Sequence, residues 1–495
     1  MATFVLIGYF SILAILSVYG GHRWYLTRAF SKCAHPLLPP RQFEELPNVT
    51  VQLPVYNESA VIERLIEAAV AMDYPRDKLL IQVLDDSTDE TRQLAEEKVA
   101  YHASCGIRIE HLHREDRTGF KAGALDAGMK GVDDEFIAIF DADFVPEPDF
   151  LTKTIHHFTD AKVGMVQARW EHLNRGLSTL TQVQGIILDA HFIIEHGGRN
   201  TSNCYFNFNG TAGIWRKQAI VEAGGWQHDT LTEDLDLSYR AQLEGWRFLF
   251  IPDITCPAEL PATVNSFKTQ QHRWAKGSIQ VMRKLLPRIW RSPVPLKVKV
   301  EASFHLTGNL AYILMVINCI FFVIPSMVVR EDVAWWVFLL VDGPLFCMLS
   351  LPFIYFYLTS QRVIFQSLKG RKRFIPALMA IGIGLGINNS RAVFEALMGQ
   401  ESPFIRTPKS GSVNKKPSSD LPRERFRLGS LGWGLFEVIL GMVYTCAILW
   451  AIMHNKWVSI PFLALFQNGF FFMGWMTLAE QFKQFRNTPP DPLPL

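Results

Sequence analysis

Acidic residues that follow two strongly apolar segments are the first side chains whose spacing suggests chemistry. Asp85 and Asp86 end the segment Leu-Leu-Ile-Gln-Val-Leu-Asp-Asp, and Asp141 and Asp143 end the segment Phe-Ile-Ala-Ile-Phe-Asp-Ala-Asp. Carboxylates at the end of a buried strand are costly unless a cation meets them. Two carboxylates separated by one residue can hold a hard divalent cation, which in turn neutralises a diphosphate. The alternative is that these aspartates only form turns and cap helices, but two such pairs in one domain favour metal and nucleotide binding.

A third acidic motif, Thr232-Glu233-Asp234, precedes a segment predicted to be helical over 235–243. A carboxylate within hydrogen-bond reach of a hydroxyl group can remove its proton and so act as a general base. By itself, however, the motif favours a simpler interpretation. Thr232 would cap the helix, and acidic residues in a first helical turn stabilise a helix without any chemistry.

An arginine next to a tryptophan forms the next candidate motif, Gln270-Gln271-His272-Arg273-Trp274, on an amphipathic segment. An arginine can clamp a phosphate, and the flat face of a tryptophan is a surface on which a sugar ring can stack. Tryptophan and arginine are also common anchors at membrane interfaces. The motif alone does not separate the two interpretations.

Short strands alternate with amphipathic helices between residues 48 and 290. The predicted strands are 49–53, 79–84, 107–111, 136–140 and 165–168. This alternation predicts an α/β domain with a largely parallel sheet. Such sheets bind ligands beyond the carboxyl ends of their strands, where the aspartate pairs lie.

Long apolar segments flank this domain and predict an integral membrane protein embedded in a lipid bilayer. The predicted spans are 3–19, 306–328, 335–358, 433–453 and 457–476. A span requires about 20 apolar residues. The first segment lacks the charged start and cleavage site of a signal peptide, and the basic residues after it place the next residues in the cytosol. The apolar part of 375–398 ends near residue 387, which predicts an interfacial or re-entrant helix; a sixth span is the alternative.

Composition excludes several other classes of protein. The formal net charge of +2 gives no reason to expect nucleic-acid binding. Seven cysteines lie far apart without a C-x-x-C pair, so neither a disulfide framework nor a zinc site is predicted. His111 and His113 lack the spacing of metal ligands on a defined element and are interpreted as ordinary structural histidines.

The ordered set of motifs resembles the processive glycosyltransferases of family 2, which include cellulose, chitin and hyaluronan synthases. The motif sequences are most similar to those of the plant cellulose-synthase-like A and C subfamilies, the mannan and xyloglucan-backbone synthases. The motifs that carry this resemblance are Gln-Val-Leu-Asp-Asp-Ser, Gly-Phe-Lys-Ala-Gly-Ala-Leu, Phe-Asp-Ala-Asp-Phe, Phe-Asn-Gly-Thr-Ala-Gly and Gln-Gln-His-Arg-Trp. The resemblance covers residues 48–288 closely and the membrane region by its layout.

The resemblance implies a glycosyltransferase A-like fold and a role for each motif. The nucleotide of the donor would be held by Tyr56, Glu58, Asp86, Lys121 and Arg273. Mg²⁺ or Mn²⁺ would be held by Asp141 and Asp143, and Asp234, next to Glu233, would be the general base. The acceptor would be bound by Gln270, Trp274, Asn209, Gly210 and Thr211.

A gating loop of the form Phe-x-Val-Thr-x-Lys covers the active site in members of this family. Here Phe404, Thr407 and Lys409 match that pattern, whereas Arg406 stands where the family has valine. The resemblance therefore implies a gating loop whose detailed contacts differ from the family pattern.

The implied protein is an integral membrane enzyme of the plasma, inner or Golgi membrane with a cytosolic catalytic domain. It would polymerise sugar from GDP-mannose or UDP-glucose into a β-1,4-linked polysaccharide and move the polymer across the bilayer. The predicted regions are a membrane anchor (1–30), a catalytic domain (45–290), a helix pair (300–360), an interfacial helix with the loop (374–430), a second helix pair (432–480) and a cytosolic tail (481–495). The alternatives are transfer of one sugar to a lipid, an inactive receptor or scaffold, and a transporter. The donor sugar, accessory subunits and oligomeric state stay open.

Overall fold

A computed structural model of the chain places an α/β domain against a set of long apolar helices. It describes residues 1–31, 39, 41–402, 409, 411 and 428–487. The strands are β1 (Val49–Val55), β2 (Leu79–Asp85), β3 (Ile109–His113), β4 (Phe136–Ile139), β5 (Val163–His172), β6 (Gly213–Arg216) and β7 (Arg247–Ala258). The helices up to the second apolar region are α1 (Ala2–Ser31), α2 (Ile62–Val70), α3 (Thr91–Ser104), α4 (Phe120–Met129), α5 (Phe150–Thr154), α6 (Thr179–Ala190), α7 (Gly197–Thr201), α8 (Lys217–Glu222), α9 (Glu233–Leu243) and α10 (Val264–Arg291). The remaining helices are α11 (Leu296–Thr307), α12 (Leu310–Phe321), α13 (Val323–Val328), α14 (Trp335–Phe365), α15 (Ile375–Leu397), α16 (Leu428–Met453) and α17 (Ile460–Asn487).

The seven strands form one sheet in the order β3-β2-β1-β4-β6-β5-β7. Strands β1 to β4 are mutually parallel, and β5 and β7 are parallel to each other. Strand β6 runs antiparallel to both of its neighbours, β4 and β5. The predicted α/β fold with a mostly parallel sheet is therefore confirmed, and the antiparallel strand is an addition that the sequence pattern did not reveal.

Both faces of the sheet are covered, as expected for a parallel sheet whose strands are continuously apolar. In β4, Phe136 and Ala138 pack into one buried apolar cluster, whereas Ile137 and Ile139 pack into the other. This alternation follows from the two-residue period of a strand. The carboxyl ends of β1, β2 and β4 consequently meet at one edge, and the chain order reverses between β1 and β4, which is where sheets of this kind bind ligands.

The apolar helices agree only partly with the predicted membrane spans. Among the described residues, five helices are long and apolar enough to cross a membrane, or up to six if one bent pair counts as a span. The segment predicted as a single span at 306–328 is instead divided among three helices, and α11 and α12 meet at an angle of 54°. The segment predicted to be interfacial or re-entrant forms one helix, α15, up to Leu397, and this helix is one of the five candidate spans. Most of its apolar stretch is buried among the other helices, so Asn389 and Ser390 can lie within it without facing lipid.

Helix α10 is held at its start by the last helix of the chain. The N–H groups of Val264 and Asn265 donate to the two carboxylate oxygens of Glu480 at 2.7 and 3.0 Å. The side chain of Thr263 accepts the next N–H, that of Ser266. These bonds satisfy three of the donors that a helix start otherwise leaves without partners.

A buried ion pair fastens the same helix to the last two helices. Lys268 Nζ lies 2.7 Å from both carboxylate oxygens of Glu437 on α16 and 2.8 Å from Thr477 Oγ1 on α17. The side chains of Lys268 and Glu437 are 11% and 1% exposed. An ion pair this well buried is costly to break from one side, because the partner is left as an uncompensated charge.

We therefore expect Glu437→Leu alone to lower stability by about 3–5 kcal/mol, since it leaves the Lys268 ammonium buried without its partner. The matched control is Glu437→Leu combined with Lys268→Met, which removes both charges and should recover most of the loss. The measurement is the thermal midpoint of the purified chain in lipid nanodiscs. Equal midpoints for the single and double variants would contradict the ion-pair argument.

Candidate active site

A cavity of about 170 Å³ opens at the carboxyl edge of the sheet. Its wall is formed by the loops after β1, β2 and β4, by the first turn of α9 and by α10. The predicted site residues that line it are Tyr56, Glu58, Asp86, Lys121, Asp141, Asp143, Asn209, Gly210, Glu233, Asp234, Gln270, Arg273, Trp274 and Lys409. Motifs separated by more than 200 residues of sequence are thus gathered in one place.

Lys121 neutralises part of the negative charge in this cavity. Its ammonium group donates to the carboxylate of Asp141 and, at 2.7 Å, to the carbonyl oxygen of Gly210. Burial disfavours the charged form of Lys121, but the nearby carboxylates of Asp141, Glu233 and Asp234 outweigh burial and raise the pKa of Lys121. The lysine therefore stays positively charged, as the binding of a diphosphate requires.

Lys409 makes the corresponding contact with the second aspartate of the motif. Its Nζ lies 2.6 Å from Asp143 Oδ2. Burial opposes its charge, but the surrounding carboxylates, Asp143 first, raise the pKa of Lys409. The other two residues of the predicted gating loop, Phe404 and Thr407, lie outside the described residues, so the predicted role of the loop stays a prediction.

Asp141 and Asp143 fit a divalent cation that arrives with a diphosphate. The backbone N–H of Asp141 donates to Thr211 Oγ1 at 2.9 Å, and this bond fixes the end of the strand. Among the described residues there is no cluster of three or more His, Cys, Asp or Glu side chains that could enclose a metal ion. Two carboxylates suffice for Mg²⁺ or a similar cation when phosphate oxygens complete its coordination. Thr211, predicted to contact the acceptor, is fully buried and positions Asp141 from behind the cavity wall.

Only the second residue of the Asp85-Asp86 pair faces the cavity. Arg114 donates to both carboxylate oxygens of Asp86, from Nε at 2.8 Å and from Nη2 at 2.6 Å. Asp85 is fully buried, and its Oδ2 lies 3.1 Å from a ring nitrogen of His111 and 3.1 Å from one of His113. Burial opposes the charge of Asp85, but hydrogen bonds from His111, Ser87 and His113 lower its pKa to about 2. The two histidines are thus structural, as interpreted from the sequence.

Tyr56 forms a flat surface at the end of the cavity near β1. The guanidinium carbon of Arg117 lies 3.3 Å from the centroid of the Tyr56 ring, which is a cation–π contact. Glu58 is buried two residues further along the chain. This arrangement supplies an aromatic surface next to polar groups, which is compatible with the predicted binding of a nucleoside at Tyr56, Glu58 and Asp86.

Asp234 lies in the first turn of α9 and faces the cavity. Burial, and then the negative charge of Glu233, raise the pKa of Asp234 to about 7. A carboxyl group with such a pKa is suited to proton transfer at neutral pH. The side chain of Thr232 makes no capping hydrogen bond to the helix. The cap on which the purely structural interpretation of this motif depended is therefore absent.

Two glycines allow these elements to approach one another. Gly210 adopts φ +81°, and a Cβ atom there would lie 3.0 Å from Asp234 Oδ2. On α10, a Cβ atom at Gly277 would lie 2.5 Å from Thr232 Cγ2 and 2.6 Å from its Oγ1. The helix that carries Trp274 therefore packs directly on the residue that precedes Glu233 and Asp234.

A second cavity of about 470 Å³ adjoins this site and lies between the apolar helices. It is lined by residues of α1, α12, α14, α15 and α17, for example Leu13, Met315, Phe353, Ile383 and Phe466. We call it the transmembrane cavity and the first one the donor cavity. The residues that line both are Trp170, Leu188, Asn209, Asp234 and Trp274.

Asn209 is held in place by two histidines. Its Nδ2 lies 2.9 Å from His191 Nε2, and its Oδ1 lies 2.7 Å from His196 Nε2. His191 in turn contacts Glu195 at 2.8 Å. The amide predicted to bind the acceptor is thus already oriented by the protein at the junction of the two cavities.

Several residues of the site were not predicted from the sequence. Arg114 and Arg117 follow β3, and Trp170 lies near the carboxyl end of β5. The rule that ligands bind beyond strand ends could have identified all three. The strand predictions for β3 and β5 ended two to four residues too early, however, so these side chains were not recognised as strand-end residues.

Comparison with known proteins identifies the family to which the chain belongs. Residues 47–277 match the family model described as "Glycosyltransferase like family 2". The probable glucomannan 4-beta-mannosyltransferase 10 of Arabidopsis thaliana is 33% identical over 410 residues, which is 79% of this chain and 74% of that protein. The chain belongs to glycosyltransferase family 2, as the resemblance implied.

More specifically, the chain is similar to plant glucomannan 4-beta-mannosyltransferases. It is 46% identical to the glucomannan 4-beta-mannosyltransferase 2 of Arabidopsis thaliana over 50% of this chain and 47% of that protein. It is 42% identical to the probable glucomannan 4-beta-mannosyltransferase 4 of Oryza sativa subsp. japonica over 56% of this chain and 51% of that protein. The chain thus spans about half the length of these two relatives.

A solved structure shares the fold. The mannosyltransferase PcManGT from Pyrobaculum calidifontis, solved in complex with GDP-Man and Mn²⁺, aligns with a TM-score of 0.58 at 18% identity. The alignment covers 80% of this chain and all of that chain. At this level of identity the likeness establishes the fold alone.

The raised pKa of Asp234 predicts how sugar transfer depends on pH. A general base acts only when it is ionised, so kcat/KM should rise about tenfold per pH unit up to about pH 7 and then level off. Glu233→Gln removes the charge that, after burial, raises this pKa, so the rising limb should move to lower pH. The exposed Glu244 of the same helix region provides the control variant Glu244→Gln. A rising limb at the same pH in Glu233→Gln and wild type would argue against this origin of the shift.

The contact between α10 and Thr232 predicts a penalty for any side chain at Gly277. Gly277→Ala should lower stability by about 1–3 kcal/mol through overpacking. It should also reduce kcat/KM, by up to about 100-fold, because Glu233 and Asp234 shift with Thr232. Gly432→Ala on α16 is the control, since a Cβ atom there meets nothing within 4 Å. Wild-type kinetics and thermal midpoint in Gly277→Ala would show that the contact can relax freely.

Proposed function

We propose that this chain is an inverting, processive β-glycosyltransferase. It transfers mannose from GDP-mannose to the end of a growing β-1,4-linked polysaccharide. The observation that carries the proposal is the place of Asp234, whose pKa is raised to about 7, at the junction of the donor cavity and the transmembrane cavity. The names of the relatives favour mannose over glucose.

In this proposal each charged group has a separate task. Lys121 and Arg273 hold the diphosphate, and Tyr56 with Asp86 holds the nucleoside. Asp141 and Asp143 would hold Mg²⁺ or Mn²⁺, which when bound would offset the charge of the diphosphate. Asp234 removes the proton from the acceptor hydroxyl as its oxygen attacks the anomeric carbon. Attack from the face opposite the diphosphate breaks the bond between the anomeric carbon and the diphosphate oxygen, and GDP leaves with the electron pair. The α-linked donor thereby becomes a β-linked product.

The five lining residues that the two cavities share support processive synthesis and translocation. A strongly polar polymer cannot cross hydrocarbon without a protein path. The transmembrane cavity begins at Trp274 and Asp234, so the extended polysaccharide can enter this cavity directly from the active site. Its inner end also carries polar groups, among them Arg23, His191 and Glu195, which can replace part of the hydration of a sugar.

The proposed membrane orientation places the site on the cytosolic side, where nucleotide sugars are made. Arg23 and Arg28 lie at the end of α1 next to the catalytic domain, and basic residues favour the cytosolic side of a membrane. On this basis the catalytic domain (45–290), the loop region (374–430) and the tail (481–495) would be cytosolic. The plasma, inner and Golgi membranes all satisfy this orientation.

The test uses the full chain in lipid nanodiscs with Mn²⁺ or Mg²⁺ and radiolabelled GDP-mannose or UDP-glucose. We expect alkali-stable polymer from GDP-mannose that an endo-β-1,4-mannanase degrades. Asp234→Asn should lower transfer about 10²- to 10⁴-fold, the usual contribution of a general base, while GDP-mannose binding stays unchanged. Asp229→Asn, at an exposed aspartate outside the cavity, is the control.

Each other result overturns a defined part of the proposal. Polymer made only from UDP-glucose would replace mannose by glucose. A single labelled sugar on a lipid would replace processive synthesis by lipid glycosylation. An active Asp234→Asn variant would remove the base assignment.

A further inference from the structure

Two of the five residues shared by the donor cavity and the transmembrane cavity have no role so far, Trp170 and Leu188. The other three are Asn209, Asp234 and Trp274, all assigned above to the acceptor or to proton transfer. Any acceptor chain that reaches Asp234 from the transmembrane cavity must pass this junction. The unassigned tryptophan therefore lies where the last sugars of an acceptor would be.

A break in strand register lies directly beside Trp170. Ala168 of β5 pairs with Ile251 of β7, but the next residue, Arg169, pairs with Thr255, so residues 252–254 bulge out. Arg169 Nε donates to the carbonyl oxygen of Pro252 at 3.0 Å and holds the bulge. Bulges of this kind redirect side chains and are common next to active sites.

The Trp170 ring is also fixed by packing. Its centroid lies 5.2 Å from that of Phe144 and 5.2 Å from that of Phe192, in edge-to-face and tilted arrangements. Aromatic pairs prefer these geometries. The indole is thus a rigid wall, and the side chain that completes the junction, Leu188, is apolar.

The indole nitrogen of Trp170 contributes nothing to the fold. Nε1 is buried and makes no hydrogen bond to the described part of the chain. A buried donor without a partner is destabilising. A phenylalanine ring could pack against Phe144 and Phe192 without that cost, so packing gives no reason for the N–H group.

We propose that Trp170 is an acceptor-binding residue that stacks on a sugar ring of the growing chain as it leaves Asp234. The rings of β-linked sugars present apolar C–H faces, which suit a flat aromatic surface, and Leu188 extends that surface. Trp170 and Trp274 together then hold the chain end in line with the transmembrane cavity. This inference rests on the proposed function and assigns a residue to its acceptor site.

The experiment compares Trp170→Leu and Trp170→Phe with wild type, each as the full chain in lipid nanodiscs. Binding of β-1,4-linked mannohexaose is measured by titration, and the KM for this acceptor is measured at saturating GDP-mannose. Loss of one aromatic stacking contact should weaken binding about 10-fold. We expect Trp170→Leu to weaken mannohexaose binding and raise the acceptor KM about 10-fold, with GDP-mannose affinity unchanged. Trp170→Phe keeps a ring and should show a smaller change, with a thermal midpoint no lower than wild type.

Trp226→Phe is the matched control. Its indole Nε1 is also buried without a partner among the described residues, but it packs in the domain core and lines neither cavity. Unchanged mannohexaose binding in this variant shows that removing a buried indole is not in itself sufficient to weaken acceptor binding.

Two outcomes would overturn the inference. One is mannohexaose binding that is equal in wild type and Trp170→Leu, and the other is mannohexaose binding that is absent from both. Polymer synthesis by the same wild-type preparation decides the proposed function separately. If wild type makes polymer but the acceptor KM is unchanged in Trp170→Leu, the proposed function stands and only the role of Trp170 is rejected.

Discussion

The concentration of negative charge at one edge of the sheet is the constraint that shapes the active site. The carboxylates of Asp86, Asp141, Asp143, Glu233 and Asp234 line a single small cavity, and carboxylates removed from water are unstable without cations. Arg114 pairs with Asp86, Lys121 with Asp141 and Lys409 with Asp143, and these cations offset part of the negative charge. Burial, and then the negative charge of Glu233, raise the pKa of Asp234 to about 7. The raised pKa of Asp234 and the lysine contacts of Asp141 and Asp143 therefore both follow from placing many carboxylates in one buried space.

Helix α10 joins this chemistry to the membrane region. One end of the helix is bonded to Glu480 and Glu437 of the last two helices, and its middle brings Arg273 and Trp274 to the donor cavity. Gly277, one turn further on, packs against the start of α9. A displacement of the apolar helices is consequently transmitted to the acceptor side of the site through a single rigid element.

Residues that the chain places at strand ends could be predicted, because the carboxyl ends of parallel strands meet at a common edge. This is why Asp86, Asp141 and the residues after β1 were correctly expected to lie together. The pairing of Asp86 with Arg114 was beyond prediction, since it depends on the register of β3. The bulge in β7 and the bend between α11 and α12 depend on packing, and neither leaves a periodic signal in the sequence.

The cap on α10 has a consequence for the biogenesis of the enzyme. Glu480 is more than 200 residues downstream of the helix start that it completes, and a ribosome adds about 5–20 residues per second. For at least ten seconds, therefore, the catalytic domain is already synthesised while the helix that carries Trp274 still lacks its final restraint. Until its last helix is inserted, a nascent chain therefore lacks the carboxylate that accepts the first two N–H groups of α10, and the start of this helix stays free to unwind.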